Sequence, residues 1–357
     1  MIRRISPIVI LIIASALMFL MPSPRLLDGA SGETELAKVV KVDDSGIELL
    51  GVVEYGYQSL EVELSDGSRK AANNTLRGQM ELDKKFKVGD TVQVVLGEEP
   101  LIARDHWRLG WAMVLFGLFS LLLAIFGGWT GLKALLSFVF SCVAIWKLLI
   151  PLCLRGYSPI WISFITVMFL TAVIMYLVAG WTKKAYAAFL GAMLGIVVSL
   201  ACAGFFSSVM HVNGATMPYV QTLVNSGFAN LSIFDVFIGA IILASSGAVM
   251  DLAMDISAGV AEVRLHNPSL GFGELVRSGL RMGRSVVGTM TTTLLLAYSG
   301  GYLTLLMVFA AQGTSPIDFL NSTLVSAELV KTLVGSFGLV LVAPFTAIIS
   351  AWIFGKS

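Results

Sequence analysis

The chain has 357 residues, 56% of them hydrophobic and 13% charged, with a formal net charge of +1 and a mean hydropathy of +0.84. Soluble domains carry about 25% charged residues, so composition excludes a single soluble domain, a disordered chain, a disulfide scaffold and a nucleic-acid binder. The net charge conceals a division: residues 28–105 hold 16 of the 23 acids and 9 of the 24 bases, a local net of −7, and the remainder holds 7 acids and 15 bases. An acidic water-facing module and a lipid-facing module with a basic excess follow. Cys142, Cys153 and Cys202 lie in or beside apolar runs and read as small hydrophobes.

A bilayer core about 30 Å thick needs roughly 20 apolar helical residues. The first candidate, residues 8–21, follows Arg3 and Arg4 and reads as a signal peptide or an anchor. Asp28 spoils the small-residue site for a cut after Ala30, so an uncleaved anchor over residues 1–27 is expected. Residues 34–98 alternate apolar and polar side chains, as half-buried strands do. Asp44-Ser45-Gly46, Asp66-Gly67 and Gly89-Asp90 punctuate them as turns. A small antiparallel barrel of four or five strands is predicted within residues 28–105. Its acidity would repel phosphates, which argues against an OB-like nucleic-acid role.

Residues 106–357 predict seven more spans, near 110–127, 131–153, 158–180, 185–207, 233–258, 285–310 and 328–353. With Arg3 and Arg4 inside, the inner loops hold Lys133, Lys183, Lys184, Arg264, Arg277, Arg281, Arg284 and Lys356, and the outer loops after the barrel hold only Arg155. Lysine and arginine in short loops set orientation. The fold class is therefore a polytopic α-helical membrane protein of about eight helices, with both termini cytoplasmic and the β-barrel-like domain extracytoplasmic after the first helix. Residues 215–230 are too short to span and suit an interfacial or re-entrant piece. Residues 267–283, with Asn267 as N-cap and Pro268 at the first position, predict an amphipathic helix along the cytoplasmic surface. No internal repeat is visible.

Ionisable residues inside spans are costly, so each is a functional candidate. In the sixth span Asp251 and Asp255 stand four apart, on one helix face, and Gly247, Ala258 and Glu262 continue that stripe. At 1.5 Å per residue they lie roughly 27 Å and 33 Å along the helix. Ser245 and Ser246 are close by. Three readings stay open: structural pairing with Arg281 and Arg284, a proton or cation relay, and catalysis. In the seventh span Thr291, Thr292 and Thr293 either line a site with Ser299 or bond back to their own helix, and Gly300-Gly301 marks a break. In the last span Glu328 and Lys331 suit a local ion pair. Pro344 should kink the helix near Thr346, and Gly335, Gly338, Gly247 and Gly288 are candidate close-packing positions. Lys147 should snorkel towards the outer boundary. His106, His211 and His266 lie outside the spans, and no nucleotide motif appears, so neither an enzyme nor a metal or cofactor is expected.

Three segments, SSGAVMDLAMDISAGVAEVRLHNP, SVVGTMTTTLLLAYSGGYLTLL and AELVKTLVGSFGLVLVAPFTAI, resemble the YibE/F family of bacterial multi-pass membrane proteins. They match its Gly-Ala-x-x-Asp, Gly-Thr-Met-x-x-Thr and Gly-Ser-x-Gly-Leu-x-x-x-x-Pro-x-Thr patterns at Gly247, Asp251, Gly288, Thr289, Gly335, Gly338, Pro344 and Thr346. The anchor, the β domain and Gly89 to Val92 match too, so the likeness covers nearly the whole chain. Lys331 stands where this resemblance leads one to expect arginine. It implies the fold and a bacterial cytoplasmic membrane, and adds little on activity. A weaker likeness, to the SecD/SecF and RND group, lies in the order of an Asp-bearing span, an inner amphipathic helix and a Thr-rich span ending in Gly-Gly. That group looks proton-driven.

The leading expectation is a secondary transporter or proton-coupled permease, with the carboxylates facing the hydroxyls of the seventh span inside the protein. The alternative is a non-transport assembly, insertion or sensing factor whose barrel docks a partner. Expected partners are the lipid bilayer, a second family member or other envelope protein, or a second copy of the chain.

Overall fold

The computed structural model describes Ser15, Met18, residues 32–97 and residues 99–355. Apart from Ser15 and Met18, the expected anchor at 8–21 lies outside the described residues. The chain divides near Ile125 into two compact units.

The first unit carries strands β1 (Thr34–Asp43), β2 (Ile47–Leu50), β3 (Val53–Leu64), β4 (Arg69–Arg77), β5 (Thr91–Val95) and β6 (Leu101–His106). Their order is β1-β5-β6-β4-β3-β2, and a β1–β3 pairing closes five of them into a barrel. Alternating residues fill it, including Val39, Leu60, Val62, Phe86, Val92 and Leu101. The expected all-antiparallel barrel is corrected at one seam: β4 and β6 run parallel, with Ala72 opposite Leu101. The reason is the path of the chain. The β5–β6 hairpin adds to β1 through β5, which brings β6 back beside β4 in the same direction. This Greek-key closure is of the OB type.

Burial opposes ionisation of Asp105, but hydrogen bonds from Arg108 (2.6 Å) and the His106 amide (2.8 Å) and the charge of Lys84 outweigh it, and its carboxyl sits below its ordinary value. The Ser45 amide acts likewise on Asp43, and the Ser68 hydroxyl on Asp66. A depressed carboxyl stabilises the fold above its unfolded pKa, about 3.9, and that stabilisation disappears as pH falls through the folded value. Amide protection of the barrel should therefore decline below about pH 4. In Asp105→Asn the decline should be shallower, as hydrogen exchange on the full chain would show.

The second unit is helical. A helical run of 46 residues, Leu109–Leu154, starts within the first unit, which extends to Ile125, and comprises α1 (Leu109–Ala144), a π turn (Ile145–Leu149) that includes Lys147, and α2 (Ile150–Leu154). Gly128, with φ 52° and ψ −129°, interrupts it, between the two spans expected at 110–127 and 131–153. There follow α3 (Pro159–Ala179), α4 (Lys183–Val209), α5 (Val220–Asn225), α6 (Ile233–His266), α7 (Phe272–Gly301), α8 (Leu303–Ala311), α9 (Pro316–Asn321) and α10 (Thr323–Gly355). Among the described residues five helices are long and apolar enough to cross a membrane, or six if α7 and α8, bent by 67°, count as one broken span. The bend follows Gly300-Gly301, where a break is expected.

Residues 267–283 do not form a separate surface helix. Asn267 ends α6, and α7 starts at Phe272, where the Gly271 amide donates to the Glu274 carboxylate at 2.9 Å. The helix then runs unbroken into the expected seventh span. Protein covers part of the apolar face of this segment: Leu275, Gly279 and Gly283 are buried, and Phe272 is exposed. A Cβ at Gly279 would meet Val260 and Ala347, and one at Gly283 would meet Ala343 and Ile256.

Candidate functional site

Helix α6 begins where the Ser232 hydroxyl accepts from the Asp235 amide at 3.2 Å. Its large aliphatic side chains, among them Ile238, Ile242, Val249, Leu252, Ile256 and Val260, are buried against α3, α4, α7 and α10. They occupy one arc. The other arc carries Ala240, Ala244, Gly247, Asp251 and Asp255, all exposed. The expected inward-facing stripe is thus corrected: it lies on the open side of the helix, because the aliphatic residues take the contact side. Among the described residues, Asp251 and Asp255 make no hydrogen bond or ion pair, and neither do Arg281 and Arg284. The expected struts to these arginines are absent within the chain. Arg284 and Asp255 nevertheless stand at one level, since each adjoins the contact of Gly283 with Ile256. Glu262, at the end of the stripe, lies 3.8 Å from Lys184.

The threonine hydroxyls of α7 are already bonded. Thr291, Thr292 and Thr293 donate to the carbonyls of Val287, Gly288 and Thr289, at 2.7, 3.1 and 2.9 Å. Ser246 donates to Leu243 at 2.8 Å. Ser299 and Tyr302 share a bond of 3.3 Å at the bend. Of the two readings of the threonines, the structure shows bonding back to the helix. Among the described residues no three His, Cys, Asp or Glu side chains converge as a metal site.

In α10, Lys331 and Glu328 form an ion pair of 2.6 Å, mostly buried, and the ammonium lies 5.7 Å from the centre of the Phe237 ring. This cation–π contact ties α10 to α6. Gly335 faces Ser245 and Tyr298. A Cβ at Gly338 would press on the Gly195 carbonyl and on Ser199, and Gly191 abuts Thr346. Helices α4 and α10 therefore meet backbone to backbone. Pro344 sits within this stretch, and the buried Thr346 hydroxyl has no partner among the described residues. Gly191, Gly195 and Ser199 escape a search for charge. The signal that finds them is Gly-x-x-x-Gly-x-x-x-Ser, small residues on one helix face. By contrast, Gly247, Gly288, Gly300 and Gly301 have no atom within 4 Å of where a Cβ would be.

The model of the family described as YibE/F-like protein matches residues 115–356, a stretch that includes α6, α7 and nearly all named charges of the helical unit. No curated protein and no solved structure matches the chain.

Proposed function

Because the chain belongs to the YibE/F-like family, we propose that it is a multi-pass transporter of the bacterial cytoplasmic membrane, most simply a proton-coupled permease, with Asp251 and Asp255 as its proton- or cation-binding groups. One observation supports this reading above the rest: two carboxylates one turn apart on a spanning helix, without an ion-pair partner among the described residues. Such groups are costly in lipid and are kept for a role. In this reading the barrel is extracytoplasmic and both termini are cytoplasmic, as the distribution of Lys and Arg requires. The full chain in sealed vesicles should give proton or solute flux that depends on a pH step. Asp251→Asn should reduce it by at least about tenfold. Rates equal to those of empty vesicles, with Asp251→Asn indistinguishable from wild type in cells, would overturn the proposal.

A second reading has its own support. At the end of β2 and on the turn after it Leu49, Leu50 and Val52 are 70%, 73% and 90% exposed, with Met80 at 80%. Val52 and Met80 border a cleft of about 340 Å³ lined also by Leu76, Lys84 and Lys85. Apolar exposure of this kind marks docking surfaces, so the barrel would bind an envelope partner. Deleting residues 34–98 separates the readings: a transporter keeps its flux, and a docking protein loses its partner on pull-down.

A further inference from the structure

We propose that the end of the barrel carrying Leu50, Val52 and Met80 rests in the headgroup layer of the bilayer that α1 enters, so that lipid is what these side chains meet. The apolar patch then has an occupant other than a partner protein. The inference rests on α1 being a spanning helix and does not require flux.

The strand register sets where the patch lies. Strands β3 and β4 pair Tyr55 with Arg77. Strands β4 and β6 run parallel, with Ala72 beside Leu101. Five residues further along each strand, Arg77 and His106 come level. The last residue of β6 therefore stands at the level of Tyr55. The β2–β3 hairpin turns just beyond that level, where Leu50 pairs with Val53, and Met80 follows Arg77 by three residues. The Lys84 ammonium, in the segment after Met80, lies 3.5 Å from Asp105 near the end of β6. All these residues belong to the unit that extends to Ile125.

Helix α1 departs from this same end without a linker. Only Trp107 and Arg108 separate β6 from Leu109, and two residues reach at most about 7 Å. Both are fastened. The Trp107 amide donates to the Thr91 carbonyl at 2.9 Å, the Arg108 carbonyl accepts from the Ala112 amide at 3.0 Å, and the Arg108 guanidinium pairs with Asp105 at 2.6 Å. After Arg108 no charged residue occurs before Lys133, so the hydrocarbon begins close to the joint. Trp107 and Trp111 are exposed there, and tryptophan concentrates at the boundary of lipid and water. Apolar side chains at that boundary gain by entering the acyl edge. A protein covering the patch would have to enter the same layer. The opposite end of the barrel is polar: the β3–β4 turn reads Ser65-Asp66-Gly67-Ser68, and Glu99 stands before β6. The barrel is thus amphipathic from end to end.

Photo-cross-linking identifies the neighbour. The full chain, with benzoylphenylalanine in place of Val52 or of Met80, is placed in vesicles of equal parts phosphatidylethanolamine and phosphatidylglycerol. Illumination should attach phospholipid, seen as a mass increment, at least about tenfold more often than the same probe in place of Asp66. In cells these probes should also attach to lipid and not to another protein. Val52→Asp with Met80→Asp replaces two exposed side chains, so amide protection at Phe86 should stay as in wild type. Lipid capture by a probe in place of Leu50 should then fall to the level seen at Asp66. The proposal is overturned if Val52 and Met80 capture no more lipid than Asp66 does. It is equally overturned if in cells they attach mainly to a protein, which returns the patch to the docking reading. Loss of flux with lipid capture intact would count against the transporter reading alone.

Discussion

Gly338→Ala should lower the thermal midpoint of the folded protein. The glycine lets α10 rest directly on α4: an added Cβ there would lie 3.1 Å from the Gly195 carbonyl oxygen and nearer still to the Ser199 hydroxyl. Backbone cannot swing aside as a side-chain tip can. Inserting extra methylenes into a tight core costs typically 1–3 kcal/mol, about 3 or more where backbone must move, against a stability of roughly 5–15 kcal/mol. Gly204 is the matched control. It lies on the same helix as Gly195, yet a Cβ there would meet no atom within 4 Å, so Gly204→Ala should change little. Thermal unfolding in detergent, with yield, measures both. Equal midpoints for the two variants would show that the contact between α4 and α10 carries no weight.

Gln58→Leu should open one side of the barrel while the helices stay intact. Gln58 is fully buried. Its amide donates to Asp44 at 2.7 Å and to the Phe86 carbonyl at 3.0 Å, and its oxygen accepts from the Phe86 amide at 2.9 Å and from Asn74 at 3.3 Å. Asn74 in turn donates to the Lys84 carbonyl at 2.5 Å. One side chain thus fastens the segment after β4 to the barrel wall. Leucine has similar bulk but leaves the Phe86 amide and carbonyl buried without partners, each costing about 1–3 kcal/mol. Proteolysis of the full chain should cut between residues 78 and 90, and amide exchange at Phe86 should accelerate. Unchanged protection at Phe86 would remove Gln58 from the account.

The strands and the long helices were legible because their signals are local. Val92 and Val94 are buried between outward-facing Thr91, Gln93 and Val95, the alternation that a one-sided core imposes. Helix α4 begins at Thr182, whose hydroxyl accepts from the Ala185 amide at 3.2 Å, and such caps are written in sequence. What was not legible depends on distant neighbours. The parallel seam between β4 and β6 is set by where β5 docks. Asn267-Pro268 has the form of a helix start, yet α7 begins at Phe272, because burial of Gly279 and Gly283 against α6 and α10 joins this segment to the span. The spacing of Asp251 and Asp255 showed that they share a face. Which arc of α6 touches other helices was written in its isoleucines and valines, and a reading centred on charge looked past them. The same preference for charge hid Gly191 and Gly195.

The meeting of α4 and α10 has a mechanical consequence. Two helices in contact through bare backbone, with Gly191 at Thr346 and Gly195 at Gly338, have one seating. A slide of a single residue would drive a side chain into a carbonyl. These two helices therefore behave as a fixed keel. The elbow at Tyr302, where two glycines precede a 67° turn, is free of such interlocking and is the place where the molecule can flex.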